Sequence, residues 1–173
     1  ACCFSEPAAR TADRIIAQIN PKMPTLGGKK ISLDKIDYIV PAESGLYTIG
    51  RAEIDARTQT IADYVAELVE DGATIQLGIG ALPDAIARNL MDKKDLGVHS
   101  ETLTEAMMEL VQAGVINNSK KTLNPGICIG AQAAGSEKFY EFIDHHPLFA
   151  VYPVDYVNNP YVVGQNYKQT SIN

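Results

Sequence analysis

The sequence has no basic run, no long apolar run and no cysteine framework, and each lack removes a class of function. Lys and Arg number 15 against 21 Asp and Glu among 173 residues, a formal net charge of −6. A chain this acidic, without clustered cations, is poorly suited to nucleic acid. No apolar stretch approaches the ~18 residues of a membrane-crossing helix, so no membrane partner is expected. No charged-then-apolar leader with a small-residue cleavage site is visible. The cysteines are Cys2, Cys3 and Cys128. This odd count and spacing make no disulfide scaffold, and no Cys-x-x-Cys pair is available for zinc or dithiol chemistry. A reducing, cytoplasmic setting suits such a chain. His145 and His146 stand side by side before Pro147 and read as a solvent-exposed loop pair, so no metal site is expected. Internal repeats and low-complexity tracts are also missing.

What remains is the make-up of a globular protein, 46% hydrophobic and 21% charged. The length suits one domain, or one and a piece. The chain opens on Ala1-Cys2-Cys3-Phe4 and closes on Thr170-Ser171-Ile172-Asn173, which leads us to expect a fragment of a longer chain.

Before Gly50 the texture is strand and loop. Asp13–Ile19 is β-rich, Asn20-Pro21 ends it, and short strands are expected at Lys30–Leu33 and Asp37–Val40. Beyond Gly50 the rhythm changes. Ile54, Ile61, Val65, Leu68 and Val69 share one helical face, which Asp71-Gly72 closes. A strand follows at 73–77, and after a glycine turn a helix containing Pro83 in its first turn. Further strands are expected at 95–100, 127–130, 148–152, 161–165 and 168–173, with helices at 102–113 and 136–144. Met107 and Met108 read as core, and Tyr152, Tyr156 and Tyr161 as packing residues. Strands alternating with such helices call for an α/β fold with a mainly parallel sheet and flanking helices.

Two stretches carry chemistry. Gly78-Ile79-Gly80-Ala81-Leu82 links a strand to a helix. Such a turn leaves backbone N–H groups facing outward, ready for an anion or an oxyanion. It also half-matches the dinucleotide fingerprint Gly-x-Gly-x-x-Gly, with Glu101 about 20 positions on. Pro83 occupies the third glycine's place and removes the close helix–strand packing that the fingerprint needs. A plain structural turn is the third reading. The other stretch, Leu96-Gly97-Val98-His99-Ser100-Glu101-Thr102, sets a carboxylate at the end of a strand, where open α/β sheets bind ligands. Alternate strand residues share a face, so His99 and Glu101 point the same way. The plainer alternatives make Glu101 a first-turn residue of the 102–113 helix and His99 a satisfied, partly buried histidine.

Together these stretches resemble the acetyl-CoA hydrolase/transferase family, and within it the 4-hydroxybutyrate and butyrate:acetate CoA-transferases. Gln18-Ile19-Asn20-Pro21-Lys22-Met23-Pro24, Gln112–Asn118 and Pro153–Pro160 are similar to family segments in the same order. The resemblance implies a CoA-transferase fold, here incomplete. It implies that 1–50 ends a first α/β half and that 51–173 opens a second, carrying the catalytic glutamate. It makes Glu101 the nucleophile and makes Gly78, Ile79, Gly80, Ala81 and Leu82 contacts for coenzyme A. Asn20 and Met23 would line the acyl pocket. The substrates would be an acyl-CoA and a small carboxylic acid, without a tightly bound cofactor, and the assembly a homo-oligomer. Acetyl-CoA hydrolysis through the same glutamate is the neighbouring activity. The chain departs from the family at Glu105-Ala106, where an Asp-Gly pair is common.

Overall fold

The structure, a computed structural model, describes residues 3–172. The chain begins with helix α1 (Ser5–Thr11), strand β1 (Ile16–Ile19), a two-residue strand β2 (Gly27–Gly28), a single 3-10 turn at Leu33–Lys35 and strand β3 (Tyr38–Pro41). The long helix α2 (Ala56–Leu68) starts where the Asp55 carboxylate accepts the Thr58 N–H at 2.7 Å. Strand β4 (Thr74–Leu77) runs into the glycine turn, and α3 (Ala81–Asn89) starts directly from it. Then come β5 (Gly97–Thr104), α4 (Glu105–Gln112), β6 (Cys128–Ala134), α5 (Glu137–Ile143) and β7 (Phe149–Val151). Two single-turn helices, α6 (Val154–Val157) and α7 (Pro160–Val163), lead to β8 (Gln169–Ile172).

Six strands form one sheet in the order β2-β7-β6-β5-β4-β8, with every described pair parallel. This is the expected α/β architecture. β1 and β3 make a separate two-stranded parallel ribbon. Successive residues of a strand face opposite sides, and β6 divides the core accordingly. Cys128 joins the larger cluster with Ile86, Leu103, Met107 and Phe139. Its neighbour Ile129 joins a smaller one with Ala131, Ala150 and Val157, beneath α6. From β4 the chain steps outward to β5, β6 and β7, then returns through α6 and α7 to place β8 on the other edge of β4. That reversal creates a switch point at the carboxyl ends of β4 and β8, the place where open α/β sheets bind ligands.

Several expectations are corrected. Lys30–Leu33 is not a strand; the 3-10 turn occupies Leu33–Lys35. The helix expected from Thr102 starts at Glu105, because β5 continues through Thr102-Leu103-Thr104 against β6. Residues 161–165 do not form a strand. Asn159 accepts the Tyr161 N–H at 2.9 Å and Pro160 sits in the first helical turn, so that segment turns helical. Tyr161 is 85% exposed, not packed. His146 is partly buried between Phe142 and Phe149, at ring distances of 4.7 and 5.2 Å. Met107 and Met108 are buried as expected.

Candidate active site

Glu101 sits inside β5, three residues before its end, and its side chain is exposed. It is therefore not a first-turn residue of α4, where the acidic residue is Glu105. His99 and Glu101 do share a face of β5, and both meet α6. The buried His99 Nε2 lies 2.9 Å from the Val157 carbonyl oxygen. Since a carbonyl only accepts, Nε2 carries the proton and donates. The next residue, Asn158, donates from Nδ2 to Glu101 Oε2 at 2.8 Å. One carboxylate oxygen is thus held, and the side chain opens on a cleft of about 260 Å³ walled by Gln76, His99, Asn158, Gln169 and Ser171. These residues come from β4, β5, the end of α6 and β8, so the cleft runs along one face of the sheet beside the switch point.

Burial lowers the pKa of His99, and the Val157 hydrogen bond opposes that shift. Its Nδ1 is buried and has no partner within the described residues. A second proton would have to go there, so the neutral Nε2–H tautomer is the one the fold stabilises.

The glycine turn follows directly. The β4–β5 register of Thr74 with Gly97 and Ile75 with Val98, continued onward, sets Gly78 abreast of Glu101. Ser100 stitches the strands there: its hydroxyl donates to the Leu77 carbonyl at 3.1 Å and accepts the Leu77 N–H at 3.3 Å. Gly78 is not open as expected, because its N–H donates to Ile172 O at 2.9 Å. Among the described residues no acceptor takes the N–H of Ile79 or Gly80. α3 has no side-chain cap, so the Ala81 and Leu82 N–H groups are unclaimed as well. Gly80 has φ 128° and ψ −175°, a conformation that strains any side chain.

The turn and Glu101 are neighbours in register but open on different clefts. Ile79 joins Met23, Tyr47, Tyr140 and Val151 around a mostly apolar cleft of about 630 Å³. Ile79 and Gly80 also line a smaller one with Arg51, Asp84 and Glu105. Met23 is thus part of a cleft wall, whereas Asn20 donates to the Ser44 carbonyl at 3.0 Å. Asn158 was legible only as part of a turn, and nothing in the local pattern tied it to Glu101.

Residues 135–173 match the model of the acetyl-CoA hydrolase/transferase C-terminal domain. Over 171 residues, 98% of this chain, the sequence is 46% identical to the 4-hydroxybutyrate coenzyme A transferase of Clostridium kluyveri and covers 40% of that protein. The chain belongs to the acetyl-CoA hydrolase/transferase family. A second relative, the succinyl-CoA:cyclohexane-1-carboxylate CoA transferase of Geobacter metallireducens, is 36% identical over 98% of the chain and 39% of its own length. Among solved structures, RipA from Yersinia pestis superimposes with a TM-score of 0.94 at 36% identity, covering 99% of this chain and 40% of that one. The 4-hydroxybutyrate CoA-transferase from Porphyromonas gingivalis gives 0.94 at 36% identity, covering 100% and 44%. The chain therefore spans about two fifths of the length of these CoA-transferase relatives. The fold and the family are those of CoA-transferases.

Proposed function

We propose that this chain carries the nucleophile of an acyl-CoA:carboxylate CoA-transferase, with Glu101 passing through a glutamyl-CoA thioester. The observation that carries the reading is the exposed Glu101 carboxylate, held through one oxygen by Asn158 in a cleft on one face of the parallel strands β5, β4 and β8. In the first half-reaction a Glu101 oxygen attacks the thioester carbonyl carbon. The C–S bond breaks, CoA leaves as thiolate, and a mixed anhydride remains. The thiolate attacks the glutamyl carbonyl, the anhydride C–O bond breaks, and the first carboxylic acid departs. A second carboxylate then attacks the glutamyl thioester and displaces CoA thiolate. That thiolate takes the new acyl group and returns Glu101 to a carboxylate. Splitting the transfer this way predicts ping-pong kinetics.

Each tetrahedral intermediate puts negative charge on oxygen. The unclaimed N–H groups of Ile79 and Gly80 are the candidate donors, which requires the reacting carbonyl to reach from the Glu101 cleft to the adjoining turn; one such donor is worth about 3–4 kcal/mol in the transition state. The glycine turn, Gly78 to Leu82, is assigned to coenzyme A, and the cleft containing Met23 to the acyl end. Binding the unreactive arm of CoA would hold the thioester against the carboxylate. We assign 1–50 to the end of a first CoA-transferase half and 51–173 to the opening of the second. The substrate family is short carboxylic acids such as 4-hydroxybutyrate, butyrate and acetate.

The test is to supply the complete protein with acyl-CoA and isotopically labelled acetate. Transfer predicts labelled acetyl-CoA and parallel double-reciprocal plots. Release of free CoA at a rate independent of acetate would favour hydrolysis and remove the transferase reading.

A further inference from the structure

The cleft at Glu101 contains a buried group that the chemistry above does not use. His99 is 1% exposed and takes no part in any proposed bond change. Its contact with α6 nevertheless adjoins the contact that holds the nucleophile. Residues 99 and 101 are alternate positions on one face of β5, and Val157 and Asn158 are consecutive positions at the end of α6. The two hydrogen bonds, 2.9 Å from His99 to the Val157 carbonyl and 2.8 Å from Asn158 to Glu101, therefore form a two-point clasp.

The two halves of this clasp differ in mobility. Asn158 is exposed and closes a four-residue helix, whose cap comes from its own N–H to Val154 O. A single helical turn has little stability of its own, so α6 needs tertiary anchors. One is the Val157 side chain in the small core. Others are the Val154 N–H bond to Cys3 O at 3.1 Å and the Tyr156 hydroxyl bond to Asn124 Oδ1 at 2.7 Å, and the His99 bond holds the carbonyl of the peptide whose N–H, that of Asn158, is held by Val154 O. An amide held by its own backbone presents Nδ2 to Glu101 in one geometry. Released, it leaves the carboxylate free to rotate among rotamers that do not face the thioester.

We propose that His99 is a positioning residue: its neutral Nε2–H pins the Val157 carbonyl and thereby sets the Asn158 amide that orients the Glu101 carboxylate for attack. The imidazole acts as a fixed donor and not as an acid or a base. Its depressed basicity, and a buried Nδ1 without a partner among the described residues, agree with that role. The groups facing it are Glu101 on the same strand, the Tyr156 ring of α6 at 5.9 Å, and the Lys121 ammonium, which is hydrogen-bonded to the carbonyl of the preceding Val98 at 2.7 Å.

The inference rests on Glu101 as nucleophile, so the experiment measures both in the complete protein. Glu101→Ala, His99→Gln and His99→Leu are compared with the parent for kcat, KM and rate of enzyme-thioester formation. Gln keeps an N–H donor at about the reach of imidazole Nε2, and Leu has none. A misplaced reacting group costs about 100-fold, so His99→Leu should lose about that factor in kcat and in thioester formation, with KM unchanged. His99→Gln should stay within a few-fold of the parent, with a superimposable kcat–pH profile. That rescue decides the matter even if the leucine variant does not fold. His99→Gln as impaired as His99→Leu, or missing one limb of the parent's pH profile, overturns the inference. So does parental activity in His99→Leu. Retained transfer in Glu101→Ala would instead remove the nucleophile reading, a separate outcome.

Discussion

At the scale of the residue, the role proposed for Glu101 makes it a nucleophile and not a structural residue. It is exposed, one oxygen is held by Asn158, and nothing in the core rests on it. Glu101→Ala should therefore abolish transfer while shifting the urea midpoint by less than the equivalent of about 1 kcal/mol, since surface changes are usually small. A large loss of stability would mean that the carboxylate is structural. Lys121 is a contrasting case. It is 5% exposed and donates to the carbonyls of Val98 and Ile127 at 2.7 and 2.6 Å, and burial pushes its ammonium down to about 8. Between about pH 8 and its ordinary 10.5, the unfolded chain holds this proton and the folded protein does not. Stability from this group therefore rises with pH across that window. Burial pushes the Cys128 thiol up to about 11 from 9.0, so above pH 9 it acts in the opposite sense. Urea melts should accordingly show parental stability gaining on Lys121→Met between pH 8 and 9, by at most about 1.4 kcal/mol for one proton. A constant difference across that step would contradict the assignment.

At the scale of the element, legibility followed periodicity and capping. α2 is readable from its apolar spacing and β4 from the Ala73–Leu77 stretch before the glycine turn. The end of β5 is not, because Ser100-Glu101-Thr102 also reads as a helix start; pairing of Thr102 with Gln132 and Thr104 with Ala134 decides it. Asn158-Asn159-Pro160 reads as a turn into a strand, though Asn-Pro is also a helix-start signal. β2 left no pattern at all. Its two residues are fixed by β7, and Gly28, at φ 101°, would bring a Cβ to 2.0 Å from the Val151 carbonyl oxygen. Gly28→Ala should therefore detach this edge, with a loss of about 1–3 kcal/mol as for other overpacked sites. Faster amide exchange at Lys29, whose N–H donates to Val151 O at 3.1 Å, is the local readout. Unchanged protection there would show that the edge adapts.

At the scale of the molecule, the compact unit is the six-stranded sheet with its helices, and the β1–β3 ribbon stands apart. Ile16, Tyr38 and Ile39 are each more than half exposed on it, and an isolated pair of strands is marginal in water. The 173-residue polypeptide on its own should bind a hydrophobic dye there, and Ile16→Lys with Ile39→Lys should suppress the signal; no dye binding by the parent would show the ribbon already satisfied. The sequence spans about two fifths of its CoA-transferase relatives, so we expect this polypeptide alone to transfer little or no CoA. The central claim is that Glu101 carries CoA, and it has a direct test. The complete protein is incubated with acyl-CoA, reduced with borohydride, digested and mapped by mass spectrometry. The account predicts reduction of the glutamyl thioester to the alcohol at Glu101 in the peptide containing Gly97–Thr104. Modification at another residue, or none under turnover conditions, would contradict it.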